Sequence, residues 1–282
     1  MPTKPTLTLD RVLSRFGLAS RTAAREAIVA GRMKVNGRIV RDPDVWVNPG
    51  RDTFHLDGQR LKPARKRYLL LYKPKGVISS HGDPAGRETI YKYLGAAAPP
   101  GRGGLRPPAG APSAPLPEAL AGPARRDRGN QENWWLAPVG RLDKDTSGLL
   151  LLTNDTEFAD FVTSPQSEVP KTYLVKTNAL LSEEVIAQLN AGVEMKRGDF
   201  ARPLSVRRRE DRGKYTWLEV VLTEGKNREV RRMIEAVGFK VLKLVRTHIG
   251  PLTLEGLEVG KWRDLTPAEV TLLRRSANRV SK

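Results

Sequence analysis

Apolar positions near the start of the chain recur at helical spacing. Leu9, Val12, Leu13 and Phe16 fall on one face and stop at Gly17, a residue suited to a left-handed helix cap. Ser20 is placed to cap a second helix that turns Ala24, Ala27 and Ile28 inward and ends at Gly31. The period then shortens: Met33-Lys34-Val35 and Arg38-Ile39-Val40 flank Asn36-Gly37, the strongest hairpin signal in the chain. Tyr68-Leu69-Leu70-Leu71-Tyr72 reads as a strand. The four leucines from Leu149 to Leu152, bounded by Gly148 and Asn154, are too short a run for a free-standing helix and read as a fully buried central strand.

Further strands are expected at Tyr173-Leu174-Val175, Trp217–Leu222 and Val241–Val245, and helices at about 155–163 and 182–190. Thr266-Pro267-Ala268-Glu269 combines a capping box with proline in the first helical position, so a last helix starts there. The irregular alternation predicts an α+β fold with a mixed, mainly antiparallel sheet and flanking helices, and lacks regular βαβ units. Three segments emerge: a small unit at 7–55, a linker at 56–67 and a larger domain at 68–275. Within the last, residues 95–133 are rich in Pro, Gly, Ala and Arg and poor in large apolar side chains. Such a stretch cannot offset the entropy of ordering and is expected to be a disordered insertion.

Charge narrows the partners. Lys+Arg 49 against Asp+Glu 31 gives +18, which favours capture of polyanions, nucleic acid first. With no cysteine, disulfides, thiolate catalysis and sulfur-based zinc sites are excluded, and His55, His81 and His248 show no metal-ligand spacing. No Gly-rich phosphate loop follows a strand, so a nucleotide cofactor is unsupported. Neither a signal peptide nor a membrane span is read, and a cytoplasmic protein is expected.

Candidate chemistry centres on Gly140-Arg141-Leu142-Asp143, just before the leucine strand. From a loop there, the Asp143 carboxylate can project from the sheet edge into a cleft and act as nucleophile or general base. A lone loop aspartate is also a common turn former. A cationic partner is available in the helix whose apolar stripe is Val230, Met233, Ile234 and Val237: Arg231 flanks that stripe and can carry its guanidinium to a half-buried carboxylate, holding it as an anion. A solvated helix face accounts better for Arg228 and Arg232. Tyr173 opens a strand, where its ring either packs in the core or stacks on a base taken out of a helix.

These residues resemble the RsuA/RluB family of ribosomal RNA pseudouridine synthases. Gly140-Arg141-Leu142-Asp143 with Thr146-Ser147-Gly148-Leu149-Leu150 is similar to the family signature. Lys73-Pro74-Lys75-Gly76, Lys171-Thr172-Tyr173 and Gly225–Met233 follow the other motifs in order. The basic helix–helix–hairpin unit resembles the small RNA-binding fold named after ribosomal protein S-four, and the insertion departs from the compact family pattern. The resemblance implies an isomerase that needs no metal or organic cofactor and turns uridine into pseudouridine. By the same resemblance Asp143 is the catalytic residue, Tyr173 stacks on the target uracil and Arg231 pairs with Asp143. Arg141 fills the gap left in the RNA, and Leu244 lines the pocket. Arg246–Leu252 and Lys226-Asn227-Arg228-Glu229 look most like the RluB branch, which implies 23S rRNA or a large-subunit precursor as substrate for a monomer. The alternatives are the RsuA branch acting on 16S rRNA, a non-catalytic RNA-binding or ribosome-assembly factor, and a hydrolytic N-glycosylase.

Overall fold

The computed structural model describes residues 6–80, 83, 85–95, 135–196 and 198–276. Residues 96–133 of the expected disordered insertion lie outside the described residues.

The N-terminal unit comprises β1 (Leu7–Thr8), α1 (Leu9–Arg15), α2 (Arg21–Val29), β2 (Met33–Val35), β3 (Arg38–Val40), β4 (Trp46–Val47), β5 (Phe54–Leu56) and β6 (Gln59–Arg60). Ser20 Oγ accepts the Ala23 amide at 3.2 Å, which caps α2 as its residue type predicts. Asn36 and Gly37 both take positive φ, +49° and +81°, the twist that a two-residue hairpin turn requires. Leu9, Val12, Leu13, Ala24, Ala27 and Ile28 close one core with Met33, Phe54 and Leu56. The strands run β3-β2-β5-β6, and Leu61 packs against the same core. The unit therefore extends past the expected boundary at residue 55 into the expected linker 56–67. Asp57-Gly58 turns the last hairpin, with φ +51° and +82°, but the strand it leads to is polar and exposed, so apolar alternation gives no sign of it.

The larger domain contains β7 (Tyr68–Lys73), α3 (Tyr91–Leu94), β8 (Ala137–Pro138), β9 (Ser147–Thr153), α4 (Thr156–Thr163), β10 (Lys171–Thr177), α5 (Glu183–Ala191), β11 (Val193–Glu194) and β12 (Phe200–Ala201). It continues with β13 (Ser205–Arg212), β14 (Tyr215–Leu222), α6 (Glu229–Ala236), β15 (Val241–Ile249), β16 (Leu252–Thr253), β17 (Trp262–Asp264) and α7 (Pro267–Ser276). One sheet runs β13-β14-β10-β15-β9-β7-β17, with β16 on β15 and β8 on β9. Among the described residues of this sheet only β9 and β15 pair in parallel.

The leucine run is explained by its neighbours. Leu149 and Leu151, with Leu70, face Phe158 and Val162 of α4 and Leu273 of α7. Leu150 and Leu152, with Leu69 and Leu71, face Ile90, Leu94, Leu136 and Leu142. A strand covered on both sides has no polar alternation to show. β14 differs: Thr216, Leu218, Val220 and Leu222 are buried, while Tyr215, Trp217, Glu219 and Val221 stay partly exposed. Its buried side joins α5 and α6 through Ile186, Leu189, Val230, Met233 and Ile234. The edge strand β13 was not expected, because Arg207 to Arg212 carry only charge, a composition that also protects an edge from pairing with other chains.

Gly148 opens the parallel pair. Its φ is +118°, and a Cβ there would lie 2.3 Å from the Arg246 carbonyl oxygen, so a side chain is excluded. At the other end of β9, Asn154 holds the segment that connects the two domains. Its Oδ1 accepts from Arg67 N and its Nδ2 donates to Arg65 O, both at 2.8 Å. Nearby, Trp135 N donates to Gly17 O and Ala64 N to Phe16 O at 2.7 Å, and Arg15 pairs with Glu157.

Candidate active site

The loop Leu142–Thr146 enters the sheet at the start of β9, and each of its five carbonyls accepts a hydrogen bond. Ser79 Oγ donates to Leu142 O at 3.0 Å. Lys73 Nζ donates to Asp143 O at 3.1 Å and to Thr146 O at 2.8 Å. Gly76 N donates to Lys144 O at 2.7 Å. Arg231 Nη2 donates to Asp145 O at 3.0 Å. Lys73, Gly76 and Ser79 come from one end of β7 and the turn beyond it, which gives the Lys-Pro-Lys-Gly motif its purpose. Lys73 is fully buried, and burial pushes its amine down to about 8; the nearby Asp143 and Asp145 partly oppose this.

The Asp143 carboxylate leaves this framework part-exposed. Its Oδ2 lies 3.5 Å from Arg228 Nη1, an ion contact longer than a good charge-assisted hydrogen bond. This corrects the sequence-based expectation that Arg231 makes the direct pair. Arg231 is buried, and its guanidinium is used on the Asp145 and Val241 carbonyls, with Nε unpartnered. Burial lowers its pKa, and Arg228 lowers it further, while Asp143 and Asp145 act the other way. The reason for the exchange is the backbone at Arg228. A positive φ of +50° just before α6 turns this side chain out of the helical pattern on which the flanking argument rests.

Tyr173 sits in β10 opposite Arg246 of β15, and Arg246 in turn lies opposite Gly148 of β9. Its ring packs against both apolar clusters, one containing Leu142 and the other Leu244, so it bridges the two halves of the sheet. Leu244 is buried opposite Val175 and belongs mainly to the core under α5 and α6. Arg141 is exposed on the same loop as Asp143. The structure thus gathers Asp143, Arg228 and Arg231 at one loop, with Tyr173 and Leu244 on the adjoining strands.

Several charged side chains escaped the sequence reading. Lys73, Lys171, Glu229 and Arg246 are all buried close to these strands. Arg246 Nε donates to Leu149 O at 2.8 Å and its Nη2 has no partner. Lys171 Nζ donates to Thr223 O at 2.9 Å; burial and the nearby Arg246 bring it down to about 8, while Glu229 pulls the other way. The Glu229 carboxyl is raised by burial. Each stands one or two residues outside a segment that the apolar pattern marks as strand or stripe, where the regular element continues and burial of a charge demands a partner. Among the described residues no group of three or more His, Cys, Asp or Glu side chains could hold a metal ion, and no helix is long and apolar enough to cross a membrane.

Both parts of the chain match known families. A family model described as RNA pseudouridylate synthase matches residues 67–236, and one described as S4 domain matches residues 7–52. The chain is 35% identical over 271 residues to the ribosomal large subunit pseudouridine synthase B of Bacillus subtilis, covering 96% of each. It is 34% identical to the protein of that name from Escherichia coli K12, covering 94% of this chain and 81% of the relative. A solved structure described as a pseudouridylate synthase superposes with a TM-score of 0.59 at 28% identity, covering 95% of this chain and 99% of that one.

Proposed function

Because the chain belongs to the RNA pseudouridylate synthase family, we propose that Asp143 is its catalytic residue and large-subunit 23S rRNA its substrate. The isomerisation breaks the bond from N1 of uracil to C1′ of the ribose, turns the ring, and joins C5 to C1′. The hydrogen on C5 leaves as a proton and N1 ends protonated, so nothing is gained or lost. An anionic carboxylate serves this chemistry as nucleophile or as base. Tyr173 stacks on the flipped uracil, Leu244 closes the apolar side of its pocket, and Arg141 enters the space the base vacates in the RNA. Arg231 acts as a positioning residue, through the loop backbone and the field at Asp143.

The observation that carries this reading is the loop itself. A part-exposed carboxylate with a cationic neighbour stands on a backbone whose carbonyls are fixed from two sides, the preorganisation an active site needs. The large-subunit assignment rests on the names of the Bacillus and Escherichia relatives, and action as a cytoplasmic monomer is part of the same proposal. The test is to replace the chain in cells by an Asp143→Asn variant and map pseudouridines in the rRNA. One 23S position should revert to uridine, while the purified variant keeps its affinity for rRNA. An unchanged map would refute the role of Asp143, and a lost 16S position would refute the substrate.

A further inference from the structure

The sheet has a second surface, on the side away from Asp143. Across β13, β14, β10 and β15, residues directly opposite one another share a face. Val220, Leu218, Val175 and Leu244 point to the side covered by α5 and α6. The alternate residues Arg207, Tyr215, Trp217, Glu219, Leu174, Lys176 and Lys243 therefore point to the other side, where each is partly or fully exposed. α4 and α7 cover that side only over β7, β9 and the far end of β15.

The arrangement of charge there is costly. Lys176 of β10 stands directly opposite Lys243 of β15 and also opposite Trp217 of β14. Like charges in facing positions of adjacent strands repel and destabilise the pair. Neither lysine has a carboxylate within ion-pair distance among the described residues. The carboxylates of this face are engaged elsewhere: Glu219 is 3.7 Å from Arg209, and Glu210, opposite Trp217, is 3.5 Å from Arg212. Aromatic rings take the place of counter-charges: Lys176 Nζ is 4.0 Å from the centre of the Tyr215 ring and 5.8 Å from that of Trp217, and Lys243 Nζ is 5.8 Å from Trp217. Lys214 approaches Tyr215 at 5.7 Å. Cation–π contacts orient an ammonium without neutralising it. The result is a row of held, uncompensated cations on an open sheet face.

We propose that this face binds the phosphate backbone of an RNA segment outside the target pocket, with Lys176 and Lys243 as the central contacts. Phosphate supplies the missing anion, and lysine binds it as a point charge without reading sequence. Because the rings are already capped by lysines, contact is to backbone rather than to stacked bases. A fragment of rRNA held in the catalytic cleft would then be gripped on both sides of the sheet.

The test compares Lys176→Gln/Lys243→Gln with a control of equal charge change on exposed positions elsewhere, Lys261→Gln/Arg275→Gln. The probe is full-length, protein-free 23S rRNA transcript, with affinity measured from about 50 to 200 mM salt. The first variant should bind several-fold more weakly, with the slope of log affinity against log salt smaller by about two, while the control matches the wild type. Loss of the repulsion should leave its thermal midpoint equal to or above that of the wild type, so weaker binding is not a folding defect. Equal binding and equal slope for the first variant and the wild type would overturn the proposal; this is also what an acidic protein occupant would give. The readout is binding alone, so the result stands apart from the role assigned to Asp143.

Discussion

The two sides of the loop that carries Asp143 are built on opposite terms. Beneath it, Lys73, Gly76 and Ser79 bond the backbone from a buried position at the end of β7. Above it, Arg228 reaches the Asp143 carboxylate from a half-exposed position at the start of α6, with a 3.5 Å ion contact. Arg231 belongs to α6 by sequence and to the lower side by behaviour, since it is buried and bonds a loop carbonyl. The difference teaches how a fold can fix the place of a carboxylate while leaving its partner exchangeable. A reacting group must be held to a fraction of an ångström. On the proposed role of Asp143, its counter-ion must give way when a uracil arrives.

The largest break in this comparison comes from the buried side. Lys73→Met keeps the length of the side chain and removes three hydrogen bonds, to Pro74 O, Asp143 O and Thr146 O. Hydrogen bonds from a charged donor contribute about 1.5–3 kcal/mol each, less here because Asp143 O keeps the Thr146 amide and because an expensive buried cation also disappears. A net loss of about 3 kcal/mol in urea unfolding is expected, with turnover down roughly 100-fold as the loop loosens. Stability within about 1 kcal/mol of the wild type, with normal turnover, would mean that this side does not hold the loop.

A smaller effect separates burial from function. Burial brings Lys171 down to about 8, while in the unfolded chain it keeps the ordinary value of 10.5. Between these values the native protein has released a proton that the unfolded chain still binds, so stability rises with pH across that window. One such group adds up to about 1.4 kcal/mol per pH unit. Lys171→Met should flatten the rise of unfolding free energy between pH 8 and 10 by about that amount. An unchanged slope would show that Lys171 is solvated in the folded state.

Much of this was legible from residue pattern. The caps at Ser20 and Thr266, the hairpin at Asn36-Gly37 and the buried leucine strand each follow from a local rule, and each is present. Asp143 was legible as a candidate, because an aspartate beside a buried strand needs explaining. Which arginine meets it was not. Helical periodicity assigns faces on the premise of regular backbone, and the left-handed turn at Arg228 breaks that premise one residue before α6. The grip of Lys73 was hidden for a different reason. Its partners in the loop are backbone carbonyls seventy and seventy-three residues away, and carbonyls carry no sequence signature. β13 and β6 escaped because exposed edge strands carry little apolar pattern.

The smallest effect is expected from the exposed side, and it sharpens the comparison most. Arg228 is strained, since a side chain at φ +50° costs about 1 kcal/mol that glycine does not. Its contact with Asp143 is part-exposed, and such pairs contribute about 0–1 kcal/mol. The two contributions oppose each other, so Arg228→Gly should change unfolding free energy by less than about 0.5 kcal/mol. Asp143 would still feel Arg231 and Lys73, both of which interact with it through space. Turnover should therefore fall by less than about tenfold, or about 1.4 kcal/mol in barrier. A loss of the size expected for Lys73→Met would place control of the carboxylate in the exposed arginine, and the division between a fixed backbone and an exchangeable partner would fail.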